Sequence, residues 1–85
     1  MPIELLYFAR VREAIGRNGE TVDPPPDVVT VADLVAWLAS RGGGYAEAFS
    51  DPAQVRAAIG DQFAEPHTPI AGAREMALFP PVTGG

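Results

Sequence analysis

The chain is divided by its own backbone breakers. Pro24-Pro25-Pro26, Gly42-Gly43-Gly44, Pro66-His67-Thr68-Pro69 and Pro80-Pro81 are spaced so that no long element fits between them. Proline fixes φ and lacks an amide donor, and glycine is entropically costly inside a regular element. What remains is one helix of moderate length and several short strands. At 85 residues there is room for a single core, which buries roughly 60–65% of the surface the unfolded chain would expose. The 47% hydrophobic and 20% charged content is that of a folded globular chain rather than a disordered one.

Residues 3–8 follow Pro2, favour strand, and alternate Ile3, Leu5 and Tyr7 on one face with Glu4, Leu6 and Phe8 on the other. Ala9 to Ile15 has helical composition and Gly16 is a stop signal. After the Asn18-Gly19 turn, Glu20-Thr21-Val22 forms a second strand returning beside the first. Thr30 and Asp33 have capping-box spacing, with Asp in place of the usual Glu or Gln, and open the main helix. Val31, Leu34, Val35 and Leu38 form its apolar face, and Gly42-Gly43-Gly44 terminates it. Residues 45–49 read as a short helix, 55–59 as a strand before the Gly60-Asp61 turn, and 75–79 as the last strand. The simplest architecture is one main helix on a mixed sheet of four or five strands.

The face alternation has a consequence at the surface. Glu4 shares a face with Phe8, and Glu75 with Phe79, so if the glutamates mark the solvated side, both phenylalanines stand outside where a partner could cover them. Phe63 is a third candidate.

Composition removes several function classes. With no cysteine there is no disulfide, thiolate metal site or cysteine nucleophile. His67 is the only histidine, so no second ligand completes a metal site, and its place between Pro66 and Pro69 fits a solvated loop rather than a catalytic base. The glycine run lacks the Lys-Ser/Thr of a phosphate loop. Eleven acidic against six basic residues give a formal charge of −5, which opposes nucleic acid and anionic membranes as partners. No apolar run approaches about 18 residues and no secretory leader pattern is present, so a soluble, cytoplasmic protein is expected. Arg10, Arg12, Arg17, Arg41, Arg56 and Arg74 are the only cations, leaving no lysine for a Schiff base or isopeptide bond. Arg10, Arg12 and Arg17 read as solvated charges more simply than as an anion site.

Pro80-Pro81-Val82-Thr83-Gly84-Gly85 ends the sequence in a stiff stem and two residues without side chains. Extended, it reaches on the order of 20 Å, enough to thread a narrow channel in another protein. Gly84 and Gly85 pass a slot too tight for a side chain and leave the terminal carboxylate open to attack at its carbon.

Phe8-Ala9-Arg10-Val11-Arg12-Glu13, the capped central helix, and Leu78-Phe79-Pro80-Pro81-Val82-Thr83-Gly84-Gly85 together resemble the small-subunit family of molybdopterin synthase, also called molybdopterin-converting factor subunit 1, over essentially the whole chain. These are ubiquitin-like sulfur carriers. The resemblance implies an α+β fold of the ubiquitin-like β-grasp type, with the domain over residues 1–79 and the carrier tail over 80–85. It implies that an adenylating enzyme of the ubiquitin-activating type uses ATP to adenylate the Gly85 carboxylate, that a sulfur donor converts it to a thiocarboxylate, and that the sulfur passes to cyclic pyranopterin monophosphate in the large synthase subunit. The carrier itself catalyses no step and binds no cofactor. Its implied partners are the large subunit, in a heterotetramer, and the activating enzyme. Phe8, Phe63 and Phe79 fall on the family's docking patch, and residues 80–85 on the segment inserted into partners. The sequence departs from the family's pattern at Gly60, where a polar turn residue is common, and the run at 42–44 looks locally variable. A sulfur carrier of the thiamin pathway, a ubiquitin-like protein modifier joined through Gly85, and a plain binding module with an incidental tail are the competing readings.

Overall fold

A computed structural model describes residues 2–81. The chain runs β1 (Ile3–Tyr7), α1 (Ala9–Ile15), β2 (Gly19–Val22), α2 (Val31–Ala39), α3 (Gly43–Ala48), a single 3-10 turn at Pro52–Gln54, β3 (Arg56–Ile59), β4 (Gln62–Ala64) and β5 (Glu75–Phe79). The strands form one sheet in the order β2-β1-β5-β3-β4. Its central pair, β1 and β5, is parallel, and the other pairings are antiparallel. A mixed five-stranded sheet with α2 on one face is the β-grasp arrangement expected above.

Strand periodicity sets the layers, because successive side chains point to opposite faces. Ile3, Leu5 and Tyr7 of β1, Met76 and Leu78 of β5, Val22 of β2 and Ala57 of β3 point inward and are buried. They meet Val31, Leu34, Val35 and Leu38, the apolar stripe of α2, all of them buried. The start of α2 is fixed by the expected capping box. Asp33 N donates to Thr30 Oγ1 at 3.2 Å, and the Asp33 carboxylate accepts from the amides of Thr30 and Val29 at 3.1 and 3.0 Å. These bonds, led by the one from Val29, hold the exposed Asp33 carboxyl below the usual range despite a small opposing effect of desolvation. Gly16 closes α1 in the left-handed region as expected, its amide donating to Arg12 O.

The glycine run behaves differently from its expected role as the stop of α2. The helix already ends at Ala39, and Ser40 Oγ donates to Trp37 O at 2.5 Å. Gly42, with φ +76°, then reverses the chain as the N-cap of α3, which begins at Gly43 rather than Tyr45. Gly44 has a separate reason to be glycine. A Cβ there would lie 2.1 Å from the carbonyl oxygen of Ala14 in α1, so the two helices cross at a distance only a bare backbone allows. Phe49, just past α3, is 3% exposed and belongs to the core. β4 is the fifth strand, for which the sequence reading supplied no position. It is three residues long, on the sheet edge, and its central Phe63 points out.

Because β1 and β5 are parallel, Phe79 ends its strand at the same pole of the sheet as Tyr7 and Phe8. Phe8 N donates to Leu78 O at 3.1 Å. The start of β1 lies at the opposite pole.

Candidate functional site

The face of the sheet away from α2 carries the candidate site. The registers Leu6↔Ala77, Ala77↔Ala58 and Ala58↔Phe63 align one row of apolar side chains across four strands. The two alanines make a shallow floor. Phe63 rises from β4 at 82% exposed, and its ring lies 6.0 Å from that of Phe79, inclined at 54°, within the range of favourable aromatic pairs. Phe8, 45% exposed, stands on the same face one strand away from Phe79. The structure thus places Phe8, Phe63 and Phe79 on one surface, with Phe79 mostly covered and the Phe63 ring against it. Large exposed apolar patches on a soluble domain mark candidate partner surfaces.

Phe8 is aimed outward by an unusual backbone. Ala9, the next residue, has φ +51°, the only non-glycine residue with positive φ among those described. β1 therefore ends at Tyr7 and α1 begins directly at Ala9, while Phe8 keeps an extended backbone (φ −128°, ψ 153°) and stays exposed.

Pro80 and Pro81 follow β5 directly and are partly covered. Pro80 lines a groove of about 380 Å³ with Arg10, Glu13, Glu47 and Asp51 at its rim. Val82, Thr83, Gly84 and Gly85, expected to form the rest of the carrier tail, lie outside the described residues. Arg10, Arg12 and Arg17 do not act together, since Arg17 turns to Glu20 at 3.7 Å. Among the described residues no three of His, Asp or Glu stand together as metal ligands, and no helix is long and apolar enough to cross a membrane.

Behind this pole lies a polar cluster that the sequence reading missed. Glu20, on the inward face of β2, accepts from the hydroxyls of Tyr7 (2.9 Å) and Tyr45 (2.5 Å) and from Arg41 Nη1 (3.2 Å). The Arg41 guanidinium lies 4.8 Å from the ring centroid of Trp37 and 5.2 Å from that of Tyr45. Partial burial pushes the Glu20 carboxyl upward, but the hydrogen bonds from Tyr45, Tyr7 and Arg41 outweigh it and hold the group below its ordinary range. Burial, then the Glu20 carboxylate, raises both phenols. The signal was available. Glu20 shares strand parity with Val22, so a carboxylate had to face the core and find donors there.

Residues 5–85 match the ThiS family. The chain belongs to that family. It is 35% identical over 83 residues to the molybdopterin synthase sulfur carrier subunit of Escherichia coli, covering 98% of this chain and 99% of that protein. Among solved structures it resembles SAMP1 of Haloferax volcanii (TM-score 0.71, 26% identity, all of both chains). It also resembles a putative molybdopterin converting factor subunit 1 of Pyrococcus furiosus (TM-score 0.72, 22% identity, 96% of this chain and 99% of that one), a likeness of fold. The described residues form the ubiquitin-like β-grasp fold of these neighbours, and the expected family resemblance holds.

Proposed function

We propose that this chain is the sulfur carrier subunit of a molybdopterin synthase, with the carboxylate of Gly85 as the group that carries sulfur. The observation that carries this reading is the full-length match to a sulfur carrier subunit. The aromatic patch supports it, because the patch sits at the pole from which Pro80 and Pro81 lead toward Gly84 and Gly85.

The chemistry follows from what a carboxylate lacks. A free carboxylate has no good leaving group, so an adenylating partner of the ubiquitin-activating type supplies one. An oxygen of Gly85 attacks the α-phosphate of ATP, pyrophosphate leaves, and the acyl adenylate remains. Hydrosulfide delivered by a sulfur donor then attacks the acyl carbon, the new C–S bond forming as AMP leaves with its electron pair, and the thiol proton goes to solvent, giving the thiocarboxylate. In the large synthase subunit, within a heterotetramer, that sulfur passes to cyclic pyranopterin monophosphate, and the dithiolene product needs two carrier turns. The chain's own residues catalyse none of these steps. Phe8, Phe63 and Phe79 dock the domain on each partner in turn. Pro80 and Pro81 hold the stem extended, and Val82 to Gly85 enter the partner's channel. ATP is consumed by the activating partner, and no cofactor resides on this chain.

The test is intact-mass spectrometry after incubation with the cognate adenylating enzyme, ATP and a sulfur donor. A thiocarboxylate gains the mass difference between sulfur and oxygen. An unchanged mass under conditions that convert a known carrier overturns the proposal. Copurification of a large synthase subunit separates this pathway from the thiamin one.

A further inference from the structure

A carrier whose end becomes an acyl electrophile has to coexist with its own nucleophiles. All six cations of this chain are arginine, and the 85 residues contain neither lysine nor cysteine. A guanidinium stays protonated to a pH above about 12 and has no free amine to attack an acyl carbon. Lysine, with a pKa near 10.4, keeps a small reactive fraction at neutral pH.

Two of the arginines stand where an amine would matter most. Arg10 lines the same groove as Pro80, and Arg56 is paired in register with Phe79; both are exposed. Four residues of chain span up to about 14 Å, so an acyl group four residues beyond Pro81 has the length to reach side chains at the tail root. Several hydroxyls among the described residues are engaged. The Tyr7 and Tyr45 hydroxyls donate to Glu20, and those of Ser40 and Ser50 donate to the carbonyls of Trp37 and Glu47. A hydroxyl without a general base is a weak nucleophile in any case. Pro2 and the start of β1 lie at the pole opposite Phe79, because β1 and β5 run parallel.

We infer that the chain is an acyl donor that is no acceptor for itself: its arginine-only cations keep the surface around the tail root free of amines, reserving the activated Gly85 for sulfur or for a nucleophile on another protein. The reaction avoided balances simply. A lysine amine would attack the Gly85 carbonyl carbon, the new C–N bond would form as AMP or a thiolate left with its electron pair, and the amine proton would go to solvent. Joined to other proteins, such a chain would attach singly, with no branch built on its own side chains.

The inference draws its purpose from the carrier reading, but its test does not need the activating enzyme. The full chain is prepared as a Gly85 thioester by thiolysis of an intein fusion and followed at mildly alkaline pH by intact mass and peptide mapping. Wild type is expected to return to the free acid by hydrolysis. Arg10→Lys is expected to form an internal amide, one water lighter than the acid and mapped to residue 10. Arg74→Lys, before the start of β5 at the far pole, is expected to form only a trace. A tethered amine acts at millimolar effective concentration, so at micromolar protein the Arg10→Lys amide should exceed Arg74→Lys product on the order of 100-fold. Arg56→Lys gives a second reading of the tail root should Arg10→Lys fold poorly. Amide formation in wild type at the rate of Arg10→Lys overturns the inference, as does hydrolysis alone in every lysine variant. If these results hold while enzymatic adenylation fails, the carrier reading falls and the self-inertness stands.

Discussion

The hydroxyls of Tyr7 and Tyr45 meet on one oxygen of Glu20, at 2.9 and 2.5 Å, while the other oxygen takes Arg41 at 3.2 Å. One carboxylate therefore joins β1, β2, α3 and the turn after α2, at the pole where Phe8 and Phe79 lie. The Tyr7 ring is 1% exposed, so removing its acceptor leaves a buried donor without water. Glu20→Ala should cost about 2–4 kcal/mol, and Tyr45→Phe, which keeps the ring, about 1 kcal/mol. Urea unfolding of the two variants measures the difference.

The same carboxylate predicts an acid limb in the stability profile. Its folded pKa lies below the unfolded value of about 4.3, so its contribution is present above that pH and fades as pH falls through the folded pKa. Stability of the wild type should drop below about pH 4.3, and Glu20→Gln should flatten that drop while Asp33 retains its own share. The tyrosines act in the opposite direction. Tyr7 is raised above about 10, so its contribution is full below that pH and is lost as pH rises beyond it, and Tyr7→Phe should remove this alkaline limb. Thermal melts across pH 2.5–11, roughly spaced by half a unit, test both limbs.

Neighbouring glycines should respond unequally to alanine. At Gly44 a Cβ would collide with the Ala14 carbonyl at 2.1 Å, and relief requires α1 and α3 to separate. Gly44→Ala is expected to cost about 2–3 kcal/mol as overpacking. At Gly43 the space is open and only the positive φ of 55° resists, so Gly43→Ala should cost about 1 kcal/mol. Equal losses in chemical denaturation would mean that the helices do not cross so closely.

These positions also mark how far the sequence was readable. The apolar stripe Val31, Leu34, Val35, Leu38 and the alternation of β1 and β5 repeat often enough for periodicity to fix both element and face. Thr30 with Asp33 fixed where α2 starts, because a cap is a local interaction. β4 escaped because Gln62, Phe63 and Ala64 are too few to show a period, and their pairing depends on the turn at Gly60. The role of Gly44 depends on Ala14, thirty positions earlier, and no local pattern reports that. In the candidate site, Phe8 and Phe79 were legible from strand parity alone. The contact of Phe63 with Phe79 came from the β3–β4 register, and the Glu20 cluster from four segments meeting.

Ala9 holds a left-handed conformation, φ +51°, which costs an L-residue roughly 1–2 kcal/mol and glycine nothing comparable. Ala9→Gly is expected to leave stability level or raise it by up to about 1 kcal/mol. Ala9→Val should lower it by about 1–2 kcal/mol, because a β-branched side chain tolerates positive φ least. If valine were accepted without loss, the turn that aims Phe8 outward would not be as drawn.

The docking patch makes its own prediction, which separates binding from folding. Phe63 is 82% exposed, so its truncation removes little buried surface, and Phe63→Ala should change stability by no more than about 0.5 kcal/mol. On a partner surface the same ring would be desolvated, and a central aromatic there is worth about 2 kcal/mol or more. Binding to the large synthase subunit, measured by calorimetry, should therefore weaken by about 30-fold or more, with the melting temperature held. Leu6, at the far end of the same row and only partly exposed, supplies the contrast: Leu6→Ala should cost both stability and affinity, since its side chain packs in the sheet as well as facing the partner. Undiminished binding in Phe63→Ala would move the interface off this face and leave the aromatic row without a function.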